Sequence, residues 1–96
     1  MTPSELVSEN RQKILQIVAA HRATTPRIFG SVLHGDDNER SDLDLLVDPL
    51  PGTTLFDLHG IQIELEELLE IPVNVLTPGD PPSKFRQQVL QEARPL

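Results

Sequence analysis

Hydrophobic positions follow helical spacing at the start of the chain. From Thr2 to about Ala20, apolar residues recur three and four positions apart, which predicts an amphipathic helix. The opening Thr2-Pro3-Ser4-Glu5 suits its N-terminus, because it offers a threonine N-cap, a proline at the first helical position and a glutamate at the third. The inward stripe of this helix should comprise Val7, Ile14, Ile17, Val18 and His21.

Shorter apolar runs come next, and they predict two strands. Thr24-Thr25-Pro26 should end the helix, after which Arg27-Ile28-Phe29 is expected as a short strand. Leu43 to Val47 forms the second strand, which Pro49-Leu50-Pro51-Gly52 closes. Between the two strands, from Gly30 to Ser41, we expect one helical turn followed by a polar loop.

Helical spacing returns in the second half of the chain. Thr53 or Thr54 should cap a long helix that runs to about Glu70 and is followed by a third strand, Ile71 to Leu76. The apolar side of this helix should comprise Leu55, Leu58, Ile61, Leu65, Leu68 and Leu69. Its outer edge carries Phe56 and Ile63, which are candidate contacts for a partner or for a second copy of the chain.

These elements predict a single α/β (α+β) domain over residues 1–96, in which helices cover a small three-stranded mixed sheet. The short connection 30–42 suits an antiparallel return, whereas the longer crossover 49–71 suits a parallel pair. A last helix should start at Pro81-Pro82 and precede a loose tail, Arg94-Pro95-Leu96. The expected apolar side of that helix is Phe85, Val89 and Ala93.

Composition narrows the classes of function. The chain carries 15 Asp and Glu against 8 Lys and Arg, a net charge of −7, whereas nucleic-acid surfaces need a basic stripe. We therefore expect no extended nucleic-acid interface, and a basic protein partner is compatible with the charge. The absence of cysteine excludes disulfides and thiolate metal sites and fits the cytoplasm. No apolar run approaches the ~20 residues of a membrane-spanning helix, so we expect no membrane segment.

Asp42 and Asp44 are the strongest candidates for chemistry. In a strand, residues two apart point to the same face, so the two carboxylates should project side by side. Two negative charges that close repel each other, and a hard cation such as Mg²⁺ offsets this repulsion. Such cations prefer carboxylate oxygens and complete their shell with water and substrate phosphates. The pair predicts metal-assisted phosphate chemistry; the alternative is a pair of solvated surface residues.

Ten residues separate Gly30-Ser31 from Asp42-x-Asp44, and this spacing resembles the signature of the DNA polymerase β-type nucleotidyltransferase superfamily. Length and layout are similar to its minimal members, the MNT domain proteins. The similarity covers roughly Pro26 to Pro78. It implies a polymerase β palm-like nucleotidyltransferase fold.

The resemblance also implies an activity and a site. Members move a nucleoside monophosphate from an NTP to a hydroxyl, so ATP is the expected substrate and two Mg²⁺ ions the expected cofactors. By this resemblance Asp42 and Asp44 hold the metals, while Gly30, Ser31 and Ser41 bind the nucleotide. Minimal members are often antitoxins of HEPN-domain toxins, and some AMPylate a toxin hydroxyl. The resemblance therefore implies an adenylyltransferase antitoxin with a HEPN-type partner.

Two positions depart from the family pattern: family members often have Arg where this chain has His34, and the second departure concerns the third carboxylate. The third carboxylate usually lies on the next strand, where this chain has Asn74. A neutral amide cannot act as a general base, whose help is typically worth about 10²–10⁴-fold in rate. The main alternative is therefore a weakened or inactive module that neutralises its partner by contact. A third option, adenylylation of a small molecule, would need a second domain or a dimer to hold the acceptor.

Overall fold

The helices pack on one face of a mixed sheet. The computed structural model describes residues 2–29, 42–78 and 93–96. Within them the elements, in chain order, are α1 (Pro3–Glu9), α2 (Arg11–Ala20), β1 (Ala23–Phe29), β2 (Leu43–Pro49), α3 (Leu55–Leu69), β3 (Val73–Leu76) and β4 (Arg94–Pro95). The strands of these ranges form a four-stranded sheet in the order β3-β2-β1-β4.

Strand directions agree with the two connections read from the sequence. β1 and β2 are antiparallel, and β2 and β3 are parallel, so both predictions are confirmed. The parallel pair is possible because α3 carries the chain back along the sheet before β3 begins. β2 thus becomes an interior strand, bonded on both sides.

The core lies between the sheet and the helices and is aliphatic. On β2 the residues Leu43, Leu45 and Val47 are buried against the helices, while Asp44 between them points to the other face. Fully burying one such Leu, Ile or Val contributes about 1.5–3 kcal/mol. The other buried side chains of this core are Val7, Ile14, Val18, Ala23, Ile61, Leu65, Leu69 and Val73, and Leu46, on the face of β2 that carries Asp44, is also fully buried.

The predicted N-terminal helix is present but divided. The capping box of Thr2 and Glu5 is confirmed, since each residue's side chain accepts the other's backbone N–H. The helix breaks at Asn10, whose side-chain Nδ2 donates to the Leu6 carbonyl at 2.9 Å, in competition with the backbone. The expectation of one continuous helix to Ala20 was therefore wrong.

β1 is longer than predicted. Thr24-Thr25-Pro26 does not separate helix from strand but lies within β1, where the pairing with β2 is irregular between Thr24 and Arg27. Thr25 has a φ of 52°, which lets the strand make this bulge. The turn before it uses Arg22, at a φ of 61°, whose carbonyl accepts from the Leu50 N–H at 3.0 Å.

The C-terminal prediction was wrong in one respect. Arg94-Pro95-Leu96 is no loose tail, because Arg94 and Pro95 form β4 and pair antiparallel with β1. The Leu96 N–H donates to the Pro26 carbonyl at 3.2 Å, and the Leu96 side chain packs on the core, which fixes the end of the chain. The sheet accordingly has four strands instead of three.

Several predicted elements lie outside the described residues. These are the helical turn and loop within 30–41 and almost all of the helix expected from Pro81. Ala93, the last predicted position of that helix, is described and lies directly before β4. No helix in the described ranges is both long and apolar enough to cross a bilayer.

α3 presents two contrasting faces. Thr54 caps its N-terminus in a capping box with Asp57, and Glu70 ends it at a φ of 58°. The predicted inward positions are confirmed, with Ile61, Leu65 and Leu69 buried and Leu58 and Leu68 packed against the core. Leu55 is an exception, because it lies in the first turn beyond the edge of the core and is 82% exposed.

Gly60 lies in the middle of α3, where glycine normally costs about 1 kcal/mol relative to alanine. The imidazole of His21, from the end of α2, lies against it: a Cβ at Gly60 would be 2.6 Å from His21 Cε1. His21 Nε2 also contacts the Glu64 carboxylate, one turn further along α3. The missing side chain therefore makes room for the ring that connects α2 to α3.

We expect Gly60→Ala to stabilise the fold only when His21 is absent. In the His21→Ala background the substitution should gain about 1 kcal/mol from helix propensity. In the native background the new methyl displaces the imidazole and most of that gain is lost. Urea unfolding of the four proteins of this double-mutant cycle measures the difference, and equal gains in both backgrounds would contradict the packing role of Gly60.

Candidate functional site

Asp44 and Asn74 meet across the parallel strand pair. They are register partners on β2 and β3, and Asn74 Nδ2 donates to Asp44 Oδ1 at 2.9 Å. Asp44 is half-buried and Asn74 is exposed, on the face of the sheet opposite the helices. The structure therefore brings together a carboxylate and an amide that are 30 positions apart in the sequence.

Asp42 lies directly before β2, with its side chain exposed. Leu43, the residue between the two aspartates, is fully buried and its N–H donates to the Pro72 carbonyl at 3.0 Å. Because side chains alternate along an extended chain, burial of Leu43 on the helix side favours Asp42 on the same face as Asp44. The side-by-side arrangement of the two carboxylates stays a prediction.

β3 is the edge strand of the sheet formed by the described residues, and a side chain from α3 holds its first residue. Glu66 Oε2 accepts from the Val73 backbone N–H at 3.0 Å, while the Val73 side chain is fully buried opposite Leu43. The next residue along the strand is Asn74, so this contact helps to fix its position. Sequence reasoning did not single out Glu66, and nothing in the local sequence distinguishes it from the other glutamates of α3.

On the other side of β2, β1 ends beside the same position. Phe29, the last residue of β1, is the register partner of Asp44. The predicted nucleotide-binding pair Gly30-Ser31 follows Phe29 directly in the sequence. Gly30, Ser31 and Ser41 themselves lie outside the described residues, so their contacts with a nucleotide stay predictions.

An ion pair lies further along the face of the sheet that carries Asp44. Arg27 Nη2 lies 2.5 Å from Asp48 Oδ1, and the Arg27 Nε–H donates to the Thr25 carbonyl at 3.3 Å. Asp48 is four residues beyond Asp44, about 13 Å along the strand, so it does not replace a missing carboxylate. Arg27 was not identified from the sequence, because its partner lies 21 residues away.

The donor atoms available at this site are oxygens, which suit a hard cation that takes its remaining ligands from a substrate and water. The described residues contain no group of three or more His, Cys, Asp or Glu side chains that could hold a metal by themselves. Mg²⁺ commonly takes only one or two carboxylates and completes its shell with phosphate oxygens and water. Asp44 with Asp42 as oxygen donors fits this pattern, and the Asn74 carbonyl is a further neutral donor.

Comparison with known proteins identifies the family of this chain. Residues 12–96 match the family model described as Polymerase beta, Nucleotidyltransferase. The chain is 36% identical to the Methanocaldococcus jannaschii protein MJ0435, over 91% of this chain and 94% of that protein. It is 26% identical to MJ0126 from the same organism, over 95% and 93% of the two chains. Both relatives are provisionally named protein adenylyltransferases.

Solved structures support the fold. One, provisionally described as a minimal nucleotidyltransferase, aligns with a TM-score of 0.86 and 40% identity over 97% of this chain and 95% of the other. A toxin–antitoxin structure with AMP-PNP aligns with a TM-score of 0.74 over 90% and 71%; at 19% identity it is evidence for the fold alone. This chain belongs to the polymerase β-type nucleotidyltransferase family.

Proposed function

We propose that this protein transfers AMP from ATP to a hydroxyl group of a partner protein, with Mg²⁺ held at Asp42 and Asp44. The observation that carries the proposal is the half-buried Asp44 carboxylate, which lies between the last residue of β1 and Asn74 of β3. The family assignment supports nucleotidyl transfer. The names of the two archaeal relatives support AMP as the group moved and a protein as its acceptor.

The reaction exchanges one bond at the α-phosphorus. The acceptor oxygen forms a bond to that phosphorus, the bond to the oxygen that bridges to the β-phosphate breaks, and pyrophosphate leaves. Divalent metal at the carboxylates would supply charge stabilisation for the attacking and leaving oxygens. Asp44 and Asp42 would hold that metal through their carboxylate oxygens, and Gly30, Ser31 and Ser41 would hold the rest of the nucleotide.

Asn74 sets a limit on the rate. Its side chain is neutral and cannot accept the hydroxyl proton, so that proton must pass to another base or to water. In the described structure its amide donates to Asp44 Oδ1, an interaction that occupies one of the carboxylate's oxygens. We therefore infer an enzyme that is slower than a member with three carboxylates.

The partner we propose is a HEPN-type toxin, which AMP transfer would silence. The acidic balance of the chain, −7, suits contact with a basic protein. The toxin–antitoxin structure shares this fold. ATP and Mg²⁺ are abundant in the cytoplasm, where we expect the reaction.

A second function is favoured by Asn74 itself. If the missing carboxylate abolishes transfer, the chain would neutralise its partner by contact alone. Metal and ATP would then be irrelevant to neutralisation, which separates the two functions experimentally.

Asp42→Asn combined with Asp44→Asn tests the metal site. We expect at least a hundredfold loss of AMP transfer, since the substitution removes the charge that would hold Mg²⁺. The assay measures label transferred from α-³²P-ATP to the protein encoded beside this gene, together with calorimetry of Mg²⁺-ATP binding. Label from γ-³²P-ATP should not transfer.

Asp48→Asn is the matched control. It makes the same change on the same strand, about 13 Å from Asp44, and the amide oxygen can still accept from Arg27. Its transfer rate should stay within twofold of the native rate. If the double variant binds Mg²⁺-ATP normally and still neutralises the partner, the contact-only function replaces the catalytic one.

Asn74→Asp should convert the site into a stronger metal ligand. With two carboxylates opposed across β2 and β3, we expect Mn²⁺ to bind about tenfold tighter in calorimetry, as roughly 1.4 kcal/mol of added attraction. Without metal the same charges repel, so the variant should unfold at a lower temperature and recover on adding Mn²⁺. AMP transfer should rise as well, because a base becomes available.

Gln16→Glu controls for the added negative charge, since Gln16 is exposed on α2, which packs on the opposite face of the sheet. Its Mn²⁺ affinity should match the native protein. Equal metal affinities for Asn74→Asp and Gln16→Glu would show that Asn74 does not border a cation site.

A further inference from the structure

α3 and the turn before it carry the exposed large hydrophobic side chains of the described residues. Among these residues, four large hydrophobic side chains are classed as exposed, and all lie in one stretch of 14 residues: Leu50 at 45%, Leu55 at 82%, Phe56 at 88% and Ile63 at 42%. Single exposed hydrophobic residues are ordinary, whereas a cluster of them on one element marks an interaction surface.

The exposed residues form a stripe along a helix that is firmly seated. Phe56 and Ile63 are seven positions apart and Glu67 follows four positions later, so these three residues share one face of α3; Glu70 comes next as the residue that ends the helix. At 1.5 Å per residue the stripe is about 21 Å long. The opposite side of α3 is buried in the core, so the stripe is preformed and pays little ordering cost on binding.

Charge along this stripe has one sign. α3 contains no Lys or Arg, and three of its acids already have partners: Asp57 in the capping box, Glu64 with His21 and Glu66 with Val73. Glu67 and Glu70 are exposed, and neither has an ion-pair partner within residues 2–29, 42–78 and 93–96. The stripe is thus apolar at its Phe56 end and carries uncompensated negative charge at its Glu70 end.

We propose that this stripe, Phe56, Ile63, Glu67 and Glu70, docks a partner protein through an apolar surface flanked by Lys or Arg. Apolar side chains of the partner cover Phe56 and Ile63, and its cations lie against the two glutamates. A second copy of this chain is a poorer occupant, because it would bring the same acids and a further −7 charge to the contact.

The stripe contains none of the residues of the candidate nucleotide site, and its Glu70 end is the end nearer to Asn74 along the chain. The chain enters β3 from the Glu70 end of α3 and reaches Asn74 four residues later, whereas Phe56 lies at the other end of the helix. This inference rests on the proposed function in one respect, because both assume that the chain has a protein partner. Docking itself requires neither ATP nor metal.

Two fluorescein-labelled amphipathic peptides serve as probes. Both carry one leucine face, flanked by Lys in the first and by Glu in the second, and fluorescence anisotropy measures their binding to the full chain. We expect the Lys peptide to bind at least tenfold tighter than the Glu peptide. Phe56→Ser combined with Ile63→Ser should weaken the Lys peptide at least tenfold, and Glu67→Gln with Glu70→Gln should weaken it several-fold and reduce its salt dependence.

Matched variants show whether the effect belongs to this stripe. Gln12→Ser with Gln16→Ser changes two exposed positions on α2, and Glu9→Gln removes an exposed charge from α1; both should bind the Lys peptide like the native chain. Thermal unfolding should be unchanged in the Phe56 and Ile63 variant, because both side chains are exposed in the isolated chain.

Three results would overturn the proposal. One is equal binding of the Lys peptide by the native chain and by the Phe56 and Ile63 variant. Another is equal binding of the two peptides. The third is self-association in sedimentation velocity that the same variant abolishes, which would make the occupant a second copy. Asp42→Asn with Asp44→Asn should bind the Lys peptide normally, so failure of nucleotide transfer and failure of docking are distinguishable.

Discussion

The parallel pairing of β2 with β3 is the contact on which the candidate site depends. Leu43 and Val73 are fully buried as register partners, and the next pair along the same ladder is Asp44 with Asn74. A shift of one residue would send the buried side chains to the wrong face, so burial of the apolar set specifies the register. The polar pair is positioned by the hydrophobic residues beside it.

α3 contributes to both ends of this arrangement. It makes the parallel crossover possible, its buried side anchors the sheet, and Glu66 holds the first N–H of β3. The opposite side of the same helix exposes Phe56 and Ile63. One helix thus helps to fix the position of Asn74 through Glu66 and presents the exposed stripe that we propose as a docking surface on its opposite side.

Family members with three carboxylates assemble a charged cluster that is costly without metal. Here a neutral amide, Asn74, stands in place of one carboxylate. It donates a hydrogen bond to Asp44, so these two side chains attract each other where two carboxylates would repel. In the proposed reaction, an amide at this position would hold a cation less strongly than a carboxylate and would supply no base. At position 74, therefore, an amide favours the stability of the metal-free site, whereas a carboxylate would favour the proposed catalysis.

Much of the fold followed from patterns that are local in the chain. The N-caps at Thr2 and Thr54 and the apolar stripe of α3 are short-range features, and they predicted where these helices begin and which side of α3 is buried. The lengths of the two connections favoured the strand directions, and the spacing from Gly30-Ser31 to Asp42-x-Asp44 predicted the family. Where propensity and pairing disagreed, pairing prevailed: Thr24-Thr25-Pro26 joined β1, and Arg94-Pro95 became β4.

What the sequence by itself determined was the set of candidate groups: Asp42 and Asp44, the Gly30-Ser31 pair at a fixed distance before them, and Asn74 where the family usually has an acid. Only the tertiary structure decided which groups touch. The contacts of Asn74 with Asp44, Arg27 with Asp48 and His21 with Glu64 join residues 30, 21 and 43 positions apart. The local hydrophobic pattern does not predict these contacts, because they form only when separate elements bury their apolar faces against one another.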